Sequence, residues 1–142
     1  MIHFEVIGKV KGKGRPRFAR RGNFITTYTD KETVNYEQLV KFSFLESGCK
    51  SYDAEAQLKV KVMCYIEPPK STSKKKLEKM YAGDIRPTKK PDIDNILKSL
   101  FDGLNKTAFS DDTQIISVEA EKYYAPQEKL VVDIISLEEI YE

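Results

Sequence analysis

Alternation of apolar and polar positions divides the chain into strands and helices, with no internal repeat and no low-complexity block. Ile2, Phe4 and Val6 fall on every second residue and predict a first strand. Leu58, Val60, Val62, Cys64 and Ile66 predict a longer one that ends at Pro68-Pro69. Ile116, Val118 and Ala120, and then residues 130–135, predict two final strands, expected to be antiparallel neighbours through the turn Ala125-Pro126-Gln127. Thr29-Asp30-Lys31-Glu32 has the form of a capping box, opening a helix that runs to about Ser47 before Gly48 stops it. A second helix over 94–106 carries Ile96, Leu97, Leu100, Phe101 and Leu104 on one face. The glycine-rich stretch 8–22 reads as a long loop or irregular ribbon, followed by a short strand at 24–28. Residues 71–83 read either as a short surface helix over 73–82 or as a mobile solvated lobe. Interleaved strands and helices predict an α+β (mixed α/β) fold of two layers, a mixed β-sheet packed with helices, in a single domain spanning 1–142.

Composition narrows the chemistry. The single histidine, His3, lies in the first predicted strand, so one chain cannot assemble a His-rich zinc site or a Ser-His-Asp triad. Cys49 and Cys64 have no metal-ligand spacing, and both thiols are expected to be buried or inert in a reduced cytoplasmic compartment. Residues 1–7 are too short and too charged for the apolar part of a signal peptide, and no membrane segment is expected. No Gly-x-x-x-x-Gly-Lys-Ser/Thr loop is present, so no nucleotide cofactor is expected.

The formal net charge of +2 hides a strong segregation. Between Glu5 and Asp30 there is no acidic residue, whereas Lys9, Lys11, Lys13, Arg15, Arg17, Arg20 and Arg21 all lie there. Lys70, Lys74, Lys75, Lys76, Lys79, Arg86, Lys89 and Lys90 form a second basic stretch, and beyond Ser110 the chain turns acidic. The asymmetry fits a nucleic-acid face with a solvated opposite side. Phe18, Phe24, Tyr28 and Tyr81 lie in or beside the basic stretches. They are candidates for base stacking, although packing of Phe24 and Tyr28 against the sheet or a partner is the favoured expectation. Tyr123-Tyr124 reads as one inward and one outward ring of a strand.

Carboxylates are concentrated in Pro91-Asp92-Ile93-Asp94-Asn95-Ile96-Leu97-Lys98 and again at Asp111-Asp112. Asp92 and Asp94 share a side if the segment is extended, while Asp94, Lys98 and Asp102 form an i,i+4 ridge on the helix. Read blandly, Asp92 is a helix cap and Lys98 part of a surface ion-pair ladder of little energetic worth. The return of Asp111-Asp112 after the helix shifts the balance, because converging carboxylates repel unless a cation or protons neutralise them. Oxygen donors without histidine or cysteine suit a hard cation such as Mg²⁺, which lowers the pKa of a bound water. Lys98 can stabilise negative charge on a phosphorane-like transition state.

The string from Arg86 to Asp102, with Phe109-Ser110-Asp111-Asp112-Thr113-Gln114, resembles the RusA family of Holliday junction resolvases and its D-[LI]-D-N-[LI]-x-K and D-D-x-Q elements. The basic string Gly12 to Gly22 is similar to the opening of many relatives. The resemblance implies that Asp92, Asp94 and Asp112 bind catalytic Mg²⁺, with Mn²⁺ as a substitute, and that Lys98 is essential for cleavage. It gives Asn95, Asp102, Asp111 and Gln114 supporting roles. It further implies a homodimer that resolves four-way DNA junctions by paired symmetric nicks, acting in the cytoplasm on the nucleoid. Lys13, Arg15, Arg17, Arg20, Arg21, Arg86, Lys89 and Lys90 are the expected DNA contacts. A less selective metal-dependent nuclease of branched DNA and a non-catalytic DNA-binding module stand as alternatives.

Overall fold

A computed structural model describes residues 1–141. Six strands, β1 (Ile2–Ile7), β2 (Arg17–Arg21), β3 (Phe24–Tyr28), β4 (Leu58–Ile66), β5 (Ile115–Tyr124) and β6 (Lys129–Ser136), are interleaved with four helices. The helices are α1 (Lys31–Glu46), α2 (Lys74–Tyr81), α3 (Ile93–Leu104) and α4 (Leu137–Ile140), and a 3-10 turn at Asp112–Gln114 precedes β5. The main sheet runs in the order β1-β6-β4-β5, while β2 and β3 pair only with each other.

One face of the main sheet is dry. Ile2, Phe4 and Val6 of β1, Leu58, Val60, Val62 and Cys64 of β4, and Leu130, Val132 and Ile134 of β6 point together into a core closed by α1 and α3. Period-two alternation in the strands meets helical stripes of Tyr36, Val40 and Phe44 on α1 and Ile96, Leu100 and Leu104 on α3. The other sheet face is polar and tied by side-chain pairs. Lys129 reaches Glu5 at 3.0 Å, His3 Nδ1 lies 2.5 Å from Asp133, and Tyr123 stacks on Tyr65. His3 therefore has a structural partner on the face opposite the helices, and the two layers predicted from the alternation are present.

The final strands differ from expectation. β5 and β6 are not neighbours: β4 lies between them, parallel to β5 and antiparallel to β6. β4 is the more continuously apolar strand and takes the centre, leaving the half-exposed β5 at the edge. The link 125–128 crosses the end of β4, where Ala125 N–H donates to the Ile66 carbonyl and the Glu128 carboxylate accepts from the N–H of Glu67. The β4 chain has by then turned away through Pro68-Pro69.

Helix ends also differ in detail. Asp30, not Thr29, caps α1, its carboxylate accepting from the Thr33 N–H at 2.8 Å. Helix α3 starts one residue earlier than the spacing predicts and ends at Leu104, because Lys106 takes a positive φ of 62°. Residues 74–81 form the surface helix rather than a solvated lobe, capped by Ser73 and anchored through buried Met80. Cys64 is buried and its thiol is pushed up to about 12 by desolvation, as an inert core cysteine should be. Cys49 departs from that expectation: it is only half-buried, and hydrogen bonding with the Ser47 side chain, above all, holds its thiol below the usual range. No helix among the described residues is long and apolar enough to cross a membrane.

Candidate active site

Helix α3 organises the candidate residues because its two sides face different environments. The apolar side is held to the sheet, so Asp94, Lys98 and Asp102 project as a ridge on the opposite side. Asp92 is the N-cap residue but makes no capping hydrogen bond; its carboxylate is exposed, with only Asn95 Nδ2 at 3.5 Å. That leaves it free of the bland role read for it in the sequence. Lys122 on β5 pins the approach to the helix by donating to the carbonyls of Lys89 (2.7 Å) and Pro91 (2.9 Å).

At the other end of α3, Asp112 enters through the 3-10 turn. Its backbone N–H donates to Asn105 Oδ1 at 2.9 Å, fixing the turn to the C-cap residue of the helix. Gln114 secures the turn from both sides: Oε1 accepts from the N–H groups of Ser110 and Asp111, and Nε2 donates to the carbonyls of Asp53 and Ala56. Burial first, and then the charges of Asp111 and Asp102, hold the Asp112 carboxyl above the usual range, with Lys98 opposing them. Asp111 moves the other way, chiefly because the Thr113 hydroxyl donates to its carboxylate. In this adjacent pair the exposed member keeps the charge and the sheltered member holds its proton more readily.

Lys98 lies between the two ends. Its side chain is 60% exposed, one turn from Asp94, and pairs with Asp102 Oδ1 at 3.5 Å. The second oxygen of Asp102 is taken by Lys13 at 3.1 Å, and Lys13 also reaches Glu37 at 2.5 Å. Asp102 is thus a bridge between two lysines, and Lys13 is an internal strut whose ammonium is stabilised against deprotonation by both carboxylates despite partial burial. Asp94 and Asp102 are eight residues apart, about 12 Å along the axis. Asp92 and Asp94 accordingly stand toward one end of the ridge and Asp112 toward the other, and no group of three or more His, Cys, Asp or Glu side chains among the described residues is placed to hold a metal ion.

A feature missed in the sequence is the strap formed by residues 10–14, laid against α3 and the start of α1. Lys13 N–H donates to the Asn95 carbonyl at 2.9 Å, the Ser99 hydroxyl donates to the Lys11 carbonyl at 2.9 Å, and Gly14 N–H donates to the Thr33 hydroxyl at 3.0 Å. A Cβ on Gly12 would lie 2.9 Å from Asn95 Cβ, so this contact requires glycine. The alternating Gly12 and Gly14 were the available signal. Asn95 joins the strap to the helix through its backbone and approaches Asp92 through its side chain. Nothing in the sequence pattern marked Asn105 or Glu37.

The expected DNA contacts separate into two groups. Arg15, Arg17, Arg20, Arg21, Lys89 and Lys90 are exposed. Lys13 is occupied as described. Arg86 is likewise engaged within the fold: its Nε–H donates to the Lys122 carbonyl at 2.8 Å, its guanidinium meets Glu121 at 3.5 Å, and it lies 3.9 Å over the Tyr123 ring. Both hold the body together around the candidate site.

The sequence matches the profile of a family described as Endodeoxyribonuclease RusA over residues 8–135, a span that includes the strap, α3 and the 3-10 turn. It is also 31% identical over 134 residues to YqaN of Bacillus subtilis strain 168, an uncharacterized protein, with 94% of each chain covered.

Proposed function

The chain belongs to the RusA endodeoxyribonuclease family of Holliday junction resolvases, and from that premise we propose that it resolves four-way DNA junctions by paired symmetric nicks, with α3 and the turn at Asp112 as its active site. The observation that carries this reading is the setting of Lys98, a solvent-facing cation ion-paired to Asp102 and electrostatically linked to Asp112. A phosphodiester docked over the ridge would meet Lys98 at its non-bridging oxygens, where negative charge grows as water attacks phosphorus and the P–O bond to the leaving oxygen breaks. Asp102 keeps the lysine directed outward, and Lys13 keeps Asp102 in place.

Nucleases of this family are metal-dependent, and Mg²⁺ is the cation proposed here. The carboxylate donor set fits a hard ion. The absence of a preformed three-carboxylate cage among the described residues is compatible with Mg²⁺, which is usually held by one or two carboxylates together with substrate phosphate and water. Asp92 and Asp94 at one end of the ridge and Asp112 at the other are the carboxylates that would hold it, one or two at a time together with substrate phosphate, and when bound it would neutralise developing charge and lower the pKa of a coordinated water. Asn95, Asp111 and Gln114 act behind them by fixing the helix start and the turn. Arg15, Arg17, Arg20, Arg21, Lys89 and Lys90 would bind phosphates without reading sequence. A homodimer would present two such sites to the approximately two-fold junction, one for each cut strand.

End-labelled four-way, three-way and linear substrates of shared sequence, incubated with Mg²⁺ and with chelator, test the proposal. Paired nicks confined to the four-way junction and abolished by chelator are expected. Equal cutting of all three would identify a less selective nuclease, and binding without cutting would identify a DNA-binding module.

A further inference from the structure

The β2–β3 ribbon pairs with no other strand of the fold. Its strands make a two-stranded sheet apart from the main one, and of ten ladder positions all but Ala19 are exposed. Register places Phe18, Arg20, Ile25 and Thr27 on one face and Arg17, Ala19, Arg21, Phe24, Thr26 and Tyr28 on the other. Phe18, Phe24 and Ile25 are 73%, 75% and 71% exposed. A two-stranded hairpin with both faces in water is marginal on its own, and these apolar groups gain nothing where they stand.

Charge selects what covers them. Arg17, Arg20 and Arg21 lie on the ribbon and Arg15 leads into it, with no acidic residue between Glu5 and Asp30. A symmetric pairing of two ribbons would bring arginine onto arginine, whereas a polyanion satisfies both faces. The apolar groups then distinguish one form of DNA from another. Stacked duplex hides the flat faces of its bases, while a branch point leaves bases whose stacking is interrupted and can be taken up by aromatic rings. The ribbon emerges from the strap whose Gly12 and Lys13 are fixed on α3, so its position is referred to the same helix that carries Lys98.

We infer that the β2–β3 ribbon is a branch-point probe, in which Phe18, Phe24 and Ile25 contact unstacked bases at the junction centre while Arg17, Arg20 and Arg21 hold the adjoining phosphates. The inference rests on the junction reading above and adds to it a source of structural selectivity separate from the cutting residues.

The test uses the full chain and two synthetic probes, a fixed four-way junction and a linear duplex of the same sequence, each with 2-aminopurine at the position of the branch. Wild type should change 2-aminopurine emission on the junction and not on the duplex. The triple variant Phe18→Ser, Phe24→Ser, Ile25→Ser should lose that signal and at least about tenfold in junction affinity, with less than a twofold change on the duplex. Circular dichroism and light scattering establish that the variant keeps its fold and oligomeric state. Equal loss on both probes would overturn the inference in favour of groove binding, and unchanged affinity on both would remove the ribbon from the interface. A change of oligomeric state on substitution would assign the ribbon to a second copy of the chain. Failure of wild type to prefer the junction at all would instead sink the resolvase reading, so the two failures are distinguishable.

Discussion

The main sheet is antiparallel in part and the β2–β3 ribbon throughout, yet they sit at opposite extremes of burial. In β1, β4 and β6 every second side chain is removed from water by α1 and α3; in the ribbon neither face is covered. The sheet is stabilised by what it buries within the chain. The ribbon carries comparable apolar groups that find no partner there, which marks it as a surface shaped for something outside. Helix α3 joins the two regimes: one side belongs to the core, the other presents the polar ridge, and the strap on its flank leads into the ribbon.

The contrast can be tested first by stability. Leu100→Ala should cost about 2–5 kcal/mol, because a fully buried side chain on α3 would leave a cavity against the sheet. Phe18→Ala should change stability by no more than about 0.5 kcal/mol, since an exposed ring on a free-standing ribbon supports nothing else. Urea unfolding of the two variants makes the comparison, and similar losses would mean the ribbon is part of the cooperative fold.

Lys98→Ala separates chemistry from both. Its exposed side chain contributes little to folding, so the melting transition should hold while single-turnover cutting falls by about 10²–10³-fold. Gly12→Ala strikes the connection between body and ribbon. Its added methyl meets Asn95 Cβ and should cost about 1–3 kcal/mol by overpacking, with junction affinity falling further than stability alone explains.

The smallest expected effect is a shift in pH dependence. The Asp112 carboxyl is held above its usual range by burial and then by Asp111, so it takes up a proton earlier than an ordinary aspartate as pH falls. If ionised Asp112 is needed for cutting, activity is present above that pKa and lost below it. Asp111→Asn removes one of the charges that raise it and should move the acid limb of the pH–rate profile to lower pH. A shift to higher pH would contradict the electrostatic ordering of the pair.

What was legible in the sequence follows the same division. β1, β4, α1 and α3 could be read because each buries one face, and burial writes a period into the chain. The neighbours of β5 and β6 could not, since alternation tells which face a strand buries and not which strand lies beside it. The ribbon was half read: with neither face buried there is no alternation to find, although Gly22-Asn23 between two short runs was a hairpin signal, and Gly22 takes a φ of 60°. The packing expected for Phe24 and Tyr28 is absent within the chain, as both are exposed. At the candidate site, Asp94, Lys98 and Asp102 were placed on one ridge by helical spacing alone. The internal engagement of Lys13 and Arg86 was hidden, because their partners Glu37, Asp102, Glu121 and Tyr123 are brought to them only by the tertiary fold.

The most direct test of α3 and the Asp112 turn as one cutting site is an end-labelled four-way junction treated with wild type and with Asp112→Asn in Mg²⁺, following binding and nicking on the same samples. Loss of nicking with junction binding retained is the predicted result, because the asparagine keeps the backbone contact to Asn105 and leaves the ribbon untouched. Nicking by Asp112→Asn at the wild-type rate would contradict it.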